Sequence, residues 1–458
     1  MRDQSEKTRD VSKLVVELDR IESDWIRKHP KSSRLFEEAK KLSPGGAHHA
    51  HAIRFWCRSP GVCPPYAVKA QGTKVWDVDG NEYTDYWSHG ALFLGHSNPA
   101  VVNAIQEQAA LGPSRSDFTE IQVKHMKKIT KMIPHAEVVD FTMSGTEALM
   151  GAIRIARTFT KREKIIQLEG TYHGFSDQLM VQNPSGGIPK DCYKNQVLVP
   201  EDIEVLEKAV KTQDPAAVLL ETVHGSSAGN MAVGAPNSNE FFRRVREITE
   251  ENDVVLINDE VITGFRLAPG GAQEYFEGLK DQDMAGLGKN VGGSIGGSGA
   301  IVGKTEIMEA ANPTGKKSEE YAFTGGTFAG NPLNSAAGYA ALDIIDKAEG
   351  RLNRHANTLG ERFRKGLNDV FERHKFPAQA VGCGSFNNVC FTQTLPVKDS
   401  HDFLQKNDRK KAYKYRIWLM TYAGIICQSG FYISAVHTTK DIDDLIAATE
   451  DYVKREKA

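Results

Sequence analysis

The chain has 458 residues, of which 40% are hydrophobic and 25% charged, and its formal net charge is −2. This length exceeds what one hydrophobic core usually organises, so we expect two domains. The nearly balanced charge argues against binding to nucleic acid or to an anionic membrane surface, and it favours a small-molecule substrate. The six cysteines form no C-x-x-C pair, and the charged N-terminus lacks an apolar signal segment. We therefore expect a cytoplasmic protein with reduced thiols and no membrane span.

The first predicted elements are a helix and a hairpin. Apolar residues at helical spacing predict a helix over residues 5–41, which ends before the turn cluster Ser43–Gly46. Residues 72–87 (GTKVWDVDGNEYTDYW) predict two alternating strands around Asp79-Gly80.

From about residue 99 the pattern indicates an α/β architecture. Helices are predicted over 99–110 and 145–159, and strands in EVVDFTMS, KIIQLEG, AAVLLETV, DVVLINDEV and GAIVG. Several of these runs alternate little, as is typical of strands buried on both faces of a mainly parallel sheet. From about residue 345, a charged helix, short strands near 381–392 and a closing helix predict a smaller α+β domain. Ligands of such parallel sheets bind at the carboxyl ends of the strands.

Two candidate groups follow predicted strands. Ser144-Gly145-Thr146 precede a helix, whose N-terminal N–H groups and dipole can bind a phosphate, although an ordinary helix cap is the alternative. Asp259 ends an apolar run, where a buried carboxylate needs a cation such as a protonated pyridine nitrogen. A turn cap is the alternative interpretation of Asp259.

Two further candidates lie in Gly-rich segments. A single lysine in a Gly-rich loop is usually a solvated surface residue. Lys289 is the one charge between Gly286 and Gly303, which weakens that interpretation, and the alternative is a desolvated nucleophile. The segment 324–332 (TGGTFAGNP) either joins two domains or offers the Thr327 hydroxyl and backbone donors to a phosphate.

Two other motifs predict no site. Residues 298–305 (SGAIVGKT) resemble a phosphate-binding loop, but Ser298 replaces its first glycine and a predicted strand lies inside it. His48, His49 and His51 have no carboxylate or cysteine at ligand spacing, so a polar loop and no metal are expected.

The order of these segments resembles the class III aminotransferases, which are fold type I pyridoxal-phosphate enzymes. The similar subgroup is that of glutamate-1-semialdehyde aminomutase and its ω-aminotransferase relatives. The resemblance extends from about Ser43 to about Ile446, through SPGG, VWDVDGNEYTDY, LGHSNPAV, SGTEA, GTYHGF, NDEVITGFR, LGKNVGG, GTFAGNP and ISAVHTTKDID. It implies a large cofactor-binding domain over 76–335, a small α+β domain over 336–458, and an N-terminal segment, 1–75, that joins the small domain.

The resemblance also implies roles for individual residues. Lys289 would bond to the cofactor aldehyde and then move a proton as general base and acid, while Asp259 would pair with the pyridine nitrogen. The other implied cofactor residues are Ser144, Gly145 and Thr146 at the phosphate, Tyr172 and Val261 on the ring faces, His173 beside Tyr172, Glu221 near the phenolic side, and Thr327 from a partner subunit. The family usually has proline after that glutamate, whereas this chain has Thr222-Val223-His224. Arg54 and Trp87 are candidate substrate residues, and a surface arginine is the alternative for Arg54.

The leading hypothesis is a homodimeric aminotransferase with shared active sites. It would move an amino group from a β- or ω-amino compound to a 2-oxo acid, such as 2-oxoglutarate. Glutamate-1-semialdehyde 2,1-aminomutase is the first alternative, although Gly424 to Gly430 lack the acid of that subgroup. A racemase and a non-catalytic pyridoxal-phosphate-binding regulator are the others; residues 1–42 are too short for the regulator's DNA-binding module.

Overall fold

The computed structural model describes residues 16–46, 55–56, 61–112, 118–224, 238–398 and 400–457. Its helices are α1 (16–28), α2 (Pro30–Leu42), α3 (Pro99–Leu111), α4 (Glu120–Met132), α5 (Gly145–Thr160), α6 (Ile203–Gln213), α7 (Ser238–Glu251), α8 (Ala272–Tyr275), α9 (Thr305–Met308), α10 (Pro332–Lys347), α11 (Arg351–Arg373), α12 (Ser400–Lys406), α13 (Arg409–Trp418) and α14 (Thr439–Lys457). Its strands are β1 (Ala67–Gln71), β2 (Lys74–Asp77), β3 (Glu82–Asp85), β4 (Val138–Thr142), β5 (Lys164–Leu168), β6 (Gln196–Val199), β7 (Pro215–Leu220), β8 (Val255–Glu260), β9 (Met284–Gly288), β10 (Gly299–Gly303), β11 (Ala378–Cys383), β12 (Phe386–Phe391), β13 (Ile425–Ile426) and β14 (Phe431–Tyr432).

A seven-stranded sheet in the order β4-β10-β9-β8-β7-β5-β6 forms the centre of the molecule. The strands from β9 to β6 are parallel, and β10 runs antiparallel to both of its neighbours. Every residue of β7, β8, β9 and β10 is buried, because helices cover both faces. This confirms the predicted α/β class with a mainly parallel sheet.

The sequence pattern did not predict strand β9, although this strand leads directly to Lys289. Its sequence, Met-Ala-Gly-Leu-Gly, has no β-branched residue, so its propensity for strand is weak. Gly286 is needed because a Cβ there would lie 2.6 Å from Cδ2 of Leu149 on α5. Close packing of α5 on the sheet therefore favours glycine at position 286. Because glycine has a low propensity for strand, the sequence pattern does not indicate β9.

The N-terminal helix prediction is wrong in one respect. The described part consists of α1 and α2, which are separated at His29 (φ −126°, ψ 48°). Pro30 has no N–H group to continue the helix, so it starts a new one. Residues 5–15 of the predicted helix lie outside the described residues.

Two smaller sheets flank the central one. The predicted hairpin is confirmed: β2 and β3 pair antiparallel, β1 extends the sheet on one side and β13 pairs parallel with β3 on the other. Near the C-terminus, β11, β12 and β14 form an antiparallel sheet, against which α11 packs, in turn contacting α14. Among the described helices, none is both long and apolar enough to cross a membrane.

Candidate active site

An open cavity of about 340 Å³ lies at the carboxyl ends of the central strands, where a parallel sheet is expected to bind its ligand. Predicted residues from four separate chain segments line it: Ser144, Gly145, Thr146, Tyr172, His173, Asp259, Val261 and Lys289. Tertiary structure thus brings these residues together. Their predicted individual roles remain predictions.

One end of the cavity is the N-terminus of α5. The Ser144 hydroxyl oxygen accepts a hydrogen bond from the Glu147 N–H at 3.2 Å, and the Glu147 carboxylate accepts one from the Met143 N–H at 2.7 Å. The first N–H groups of a helix have no intrahelical partner, so those of Gly145 and Thr146 are available to an anion. A Cβ at Gly145 would lie 2.5 Å from Cγ2 of Val261, so only glycine fits here.

Lys289 follows β9 directly and lines the same cavity. Its backbone has φ +49°, an uncommon left-handed conformation for a residue with a side chain. Burial lowers the pKa of Lys289 from its ordinary value of 10.5 to about 8, although the carboxylates of Asp259 and Glu221 oppose the shift. A useful fraction of this amine is therefore neutral, and nucleophilic, near physiological pH.

Asp259 lies near the end of β8 and is almost fully buried. One carboxylate oxygen, Oδ2, lies 2.9 Å from Nδ1 of buried His173, and the other accepts a hydrogen bond from the Val261 N–H at 3.0 Å. Two fixed partners orient this carboxylate toward the cavity that it lines. Such a carboxylate can stabilise a cationic ring nitrogen.

Glu221 does not line the cavity, but its carboxylate accepts a hydrogen bond at 2.9 Å from the N–H of Tyr172, which does. Burial raises the pKa of Glu221, and the negative charge of Asp259 raises it further. The imidazoles of His224 and His173 oppose this rise. Glu221 is therefore harder to ionise than an exposed glutamate, and the two imidazoles limit this effect.

Two other predicted residues do not line this cavity, and a third lies outside the described residues. Thr327 is exposed on the surface of the single chain. Trp87 packs on His89 and Tyr432, with ring centroids 4.9 and 5.4 Å away. Arg54, like the histidines at 48–51, lies outside the described residues.

The sequence interpretation missed part of the cavity wall and one buried cation. Residues 294–298 and Ala91 also line the cavity. In the sequence, the glycines at 296 and 297 could have indicated that this loop belongs to the binding site. Arg266 is buried and donates hydrogen bonds to the carbonyl oxygens of Ile433 (2.9 Å) and Gly90 (3.0 Å), thereby connecting distant segments. Arg266 could have been identified from the sequence, because it is the last residue of the motif NDEVITGFR.

The cavity fits a phosphorylated pyridine aldehyde. The N-terminus of α5 suits the phosphate, the Asp259 carboxylate suits a protonated ring nitrogen, and the Lys289 amine suits an aldehyde. Among the described residues, no cluster of three histidine, cysteine or acidic side chains could hold a metal ion.

Fold and cavity together define a fold type I pyridoxal-phosphate enzyme, and comparison with known proteins identifies its family. The model of the class-III aminotransferase family matches residues 59–411. Glutamate-1-semialdehyde 2,1-aminomutase of Methanothrix thermoacetophila is 38% identical over 440 residues, which cover 92% of this chain and 96% of that protein.

Two solved structures share the fold over most of the chain. An ω-transaminase from Sphaerobacter thermophilus is 29% identical, with a TM-score of 0.83, and covers 93% of this chain and 98% of its own. A transaminase with bound pyridoxal phosphate is 26% identical, with a TM-score of 0.80 and the same coverage. The chain belongs to the class-III aminotransferase family, it is a pyridoxal-phosphate-dependent enzyme, and its cofactor is pyridoxal 5'-phosphate.

Proposed function

We propose that this enzyme is a 2,1-aminomutase that acts on an amino aldehyde of the glutamate-1-semialdehyde type, with Lys289 as the residue that holds the cofactor. The observation that carries the catalytic assignment is the convergence of Lys289, Asp259 and the N-terminus of α5 on one cavity. The aminomutase, which was the alternative from sequence, has better support than intermolecular transfer. The Methanothrix relative named for this reaction is 38% identical over almost the whole chain.

Each proposed role follows from the position of a side chain. Bound pyridoxal phosphate supplies an electron sink for the bond next to the substrate nitrogen. The Asp259 carboxylate, fixed by His173 and the Val261 N–H, holds the proton on the ring nitrogen. The Lys289 amine, with its lowered pKa, takes the proton from one substrate carbon and returns it to another. The Gly145 and Thr146 N–H groups hold the phosphate.

An intermolecular aminotransferase is the second candidate, favoured by one loop. Gly424 to Gly430 (GIICQSG) contain no acidic residue, although the aminomutase subgroup has a glutamate there. This candidate would take a β- or ω-amino compound and a 2-oxo acid, and the similar structure of an ω-transaminase agrees with it.

One incubation separates the candidates. Purified holoenzyme is given glutamate-1-semialdehyde with no second substrate, and 5-aminolevulinate is measured. Steady formation of 5-aminolevulinate supports the aminomutase. Amino transfer that depends on added 2-oxoglutarate supports the aminotransferase, and loss of chirality in an amino acid without any acceptor supports the racemase.

We further propose a homodimer in which each subunit supplies Thr327 to the cofactor phosphate of its partner. Thr327 lies on the surface, and its neighbours Phe323 and Phe328 are 63% and 51% exposed in the single chain. Exposed aromatic side chains of this size favour burial against a second copy. Sedimentation analysis of the holoenzyme should give twice the 50.5 kDa mass of the chain.

A further inference from the structure

Three segments of the cavity wall are joined to one another by hydrogen bonds from side chains to backbone carbonyl groups. The segments are 88–91, 261–266 and 289–294, which contribute Ala91, Val261, and both Lys289 and Ser294 to the lining. They are far apart along the chain, so their relative positions depend on such bonds. These positions determine where the Lys289 amine lies in the cavity.

The Asn290 side chain connects two of these segments. Asn290 is 3% exposed, and its Nδ2 atom donates a hydrogen bond to the Gly264 carbonyl oxygen at 3.2 Å. Gly264 lies in the turn after Asp259, whereas Asn290 directly follows Lys289. One side-chain hydrogen bond therefore joins the turn after β8 to the turn after β9.

Two further hydrogen bonds complete a closed frame. The Ser294 hydroxyl donates to the Ala91 carbonyl oxygen at 2.5 Å and lies 3.4 Å from Oδ1 of Asn290. The buried Arg266 guanidinium donates from Nη2 to the Gly90 carbonyl oxygen at 3.0 Å. Each of the three wall segments is thus bonded to both of the others.

This frame holds a residue whose own backbone conformation is unfavourable. Lys289 has φ +49°, and a side chain in this region persists only where its surroundings hold it. The N–H groups of Gly293 and Ser294 donate to the carbonyl oxygens of Asn290 (3.0 Å) and Lys289 (3.2 Å), so the turn fixes its own shape.

The position of that turn relative to β8 needs a separate bond. The register of β8 with β9 ends at the pair Glu260–Leu287, two residues before Lys289. The hydrogen bond from Asn290 to Gly264 continues the connection beyond the end of this pairing. It therefore acts at the point where the lysine side chain leaves the backbone.

We propose that Asn290 is a positioning residue, which holds the left-handed Lys289 backbone so that the amine meets the cofactor aldehyde. This role rests on the proposed function of Lys289 as the residue that holds the cofactor. Asn290 does not line the cavity, so it acts through Lys289 and not by contact with a ligand.

The turn 261–266 has supports of its own. The Gly264 N–H donates to the Glu260 carbonyl oxygen at 2.9 Å, and the Thr263 hydroxyl donates to the Glu260 carboxylate at 2.5 Å. Loss of the Asn290 amide should therefore release the lysine turn and leave the opposite wall of the cavity in place.

The test separates covalent capture of the cofactor from non-covalent binding. Full-length, cofactor-free enzyme is titrated with pyridoxal 5'-phosphate and, separately, with 4-deoxypyridoxine 5'-phosphate, which has the same ring and phosphate but no aldehyde. The variant is Asn290→Leu, which keeps the approximate shape of the side chain and removes the amide. We expect it to slow covalent capture and to weaken the affinity for pyridoxal phosphate by about 5- to 10-fold, the effect of losing one hydrogen bond. The affinity for the analogue should stay unchanged.

Asn368→Leu is the matched control. The Asn368 amide also donates to a backbone carbonyl oxygen, that of Ala380 at 3.1 Å, but it joins α11 to β11. Its replacement should change neither affinity.

Two results for folded Asn290→Leu would overturn the proposal. One is capture of pyridoxal phosphate at the wild-type rate and affinity. The other is an equal loss of affinity for both ligands, because a general disturbance of the cavity would then explain the result. If Asn290→Leu does not fold, Ser294→Ala, which opens the frame at Ala91, decides: a selective loss of capture supports the proposal, and unchanged capture overturns it.

Borohydride reduction of the wild-type holoenzyme, followed by peptide mapping, identifies the lysine that holds the cofactor. A lysine other than Lys289 would contradict the proposed function itself. If Lys289 is labelled and Asn290→Leu captures the cofactor normally, the role of Asn290 alone is wrong.

Discussion

The Nδ1 atom of His173 lies 2.9 Å from Oδ2 of Asp259, and both side chains are buried. The imidazole therefore orients the carboxylate that is proposed to face the cofactor ring. Replacing His173 by Phe should lower kcat/KM by about 10- to 100-fold, the range expected for loss of one hydrogen bond to a charged group. Steady-state kinetics give the value. The control is His355→Phe, at an exposed position of α11. A loss of activity as large in this control would indicate general instability.

Lys289→Ala should abolish the visible cofactor band and lower turnover by at least about 10³-fold, since both covalent attachment and proton transfer are removed. Absorbance spectra and turnover numbers of the purified variant provide the check. Lys440→Ala, which changes a lysine that is 80% exposed, should alter neither quantity. Full activity of Lys289→Ala would remove the central assignment.

Cofactor binding should depend on pH through Lys289. Only the neutral amine attacks an aldehyde, so recombination of cofactor-free enzyme with pyridoxal phosphate should accelerate with pH and level off above the pKa of about 8. Stopped-flow absorbance measures the rate. Asp259→Asn removes a negative neighbour that raises this pKa, so the midpoint should move below 8. A midpoint near 10.5, the ordinary lysine value, would contradict the desolvated environment.

The same pKa shift affects stability. Because the folded-state pKa of Lys289 lies below its unfolded value of 10.5, the unfolded chain binds more protons between these values. Burial of Lys289 therefore destabilises the cofactor-free protein below pH 8, and this cost is relieved as the pH rises from 8 toward 10.5. Denaturant titrations should show the pH dependence in the wild type and lose this component in Lys289→Met.

Gly145→Ala should weaken cofactor binding by about 5- to 150-fold. The added Cβ would lie 2.5 Å from Cγ2 of Val261, and overpacking of this kind costs about 1 to 3 kcal/mol. Equilibrium titration of the cofactor-free enzyme measures the affinity. Gly186→Ala is the matched control, because a Cβ there meets no heavy atom within 4 Å.

Thr327→Val should raise the dissociation constant for pyridoxal phosphate by about 10-fold, since one hydroxyl hydrogen bond to a phosphate is lost. Thr314→Val, also at an exposed position, should have no effect. Equal affinities of wild type and Thr327→Val would contradict the shared-site proposal, even if the enzyme is dimeric.

Much of the fold could be predicted from local patterns. Buried apolar runs indicated β7, β8 and β10, and the Asp79-Gly80 turn indicated the hairpin of β2 and β3. Strand β9 could not be found in this way, because close contact with Leu149 requires glycine where strands usually have β-branched residues. The proposed domain limits at residues 75 and 335 stay predictions.

The sequence by itself determined which chemical groups are available: an amine among glycines, a carboxylate after an apolar run, and a helix start with small residues. These are local features, and they need no knowledge of distant contacts. Only the tertiary structure decided that Lys289, Asp259 and Ser144–Thr146 meet in one cavity, and that Asn290 bonds to Gly264. The physical reason is that burial and through-space charge set the pKa of Lys289, and both arise from residues far apart along the chain.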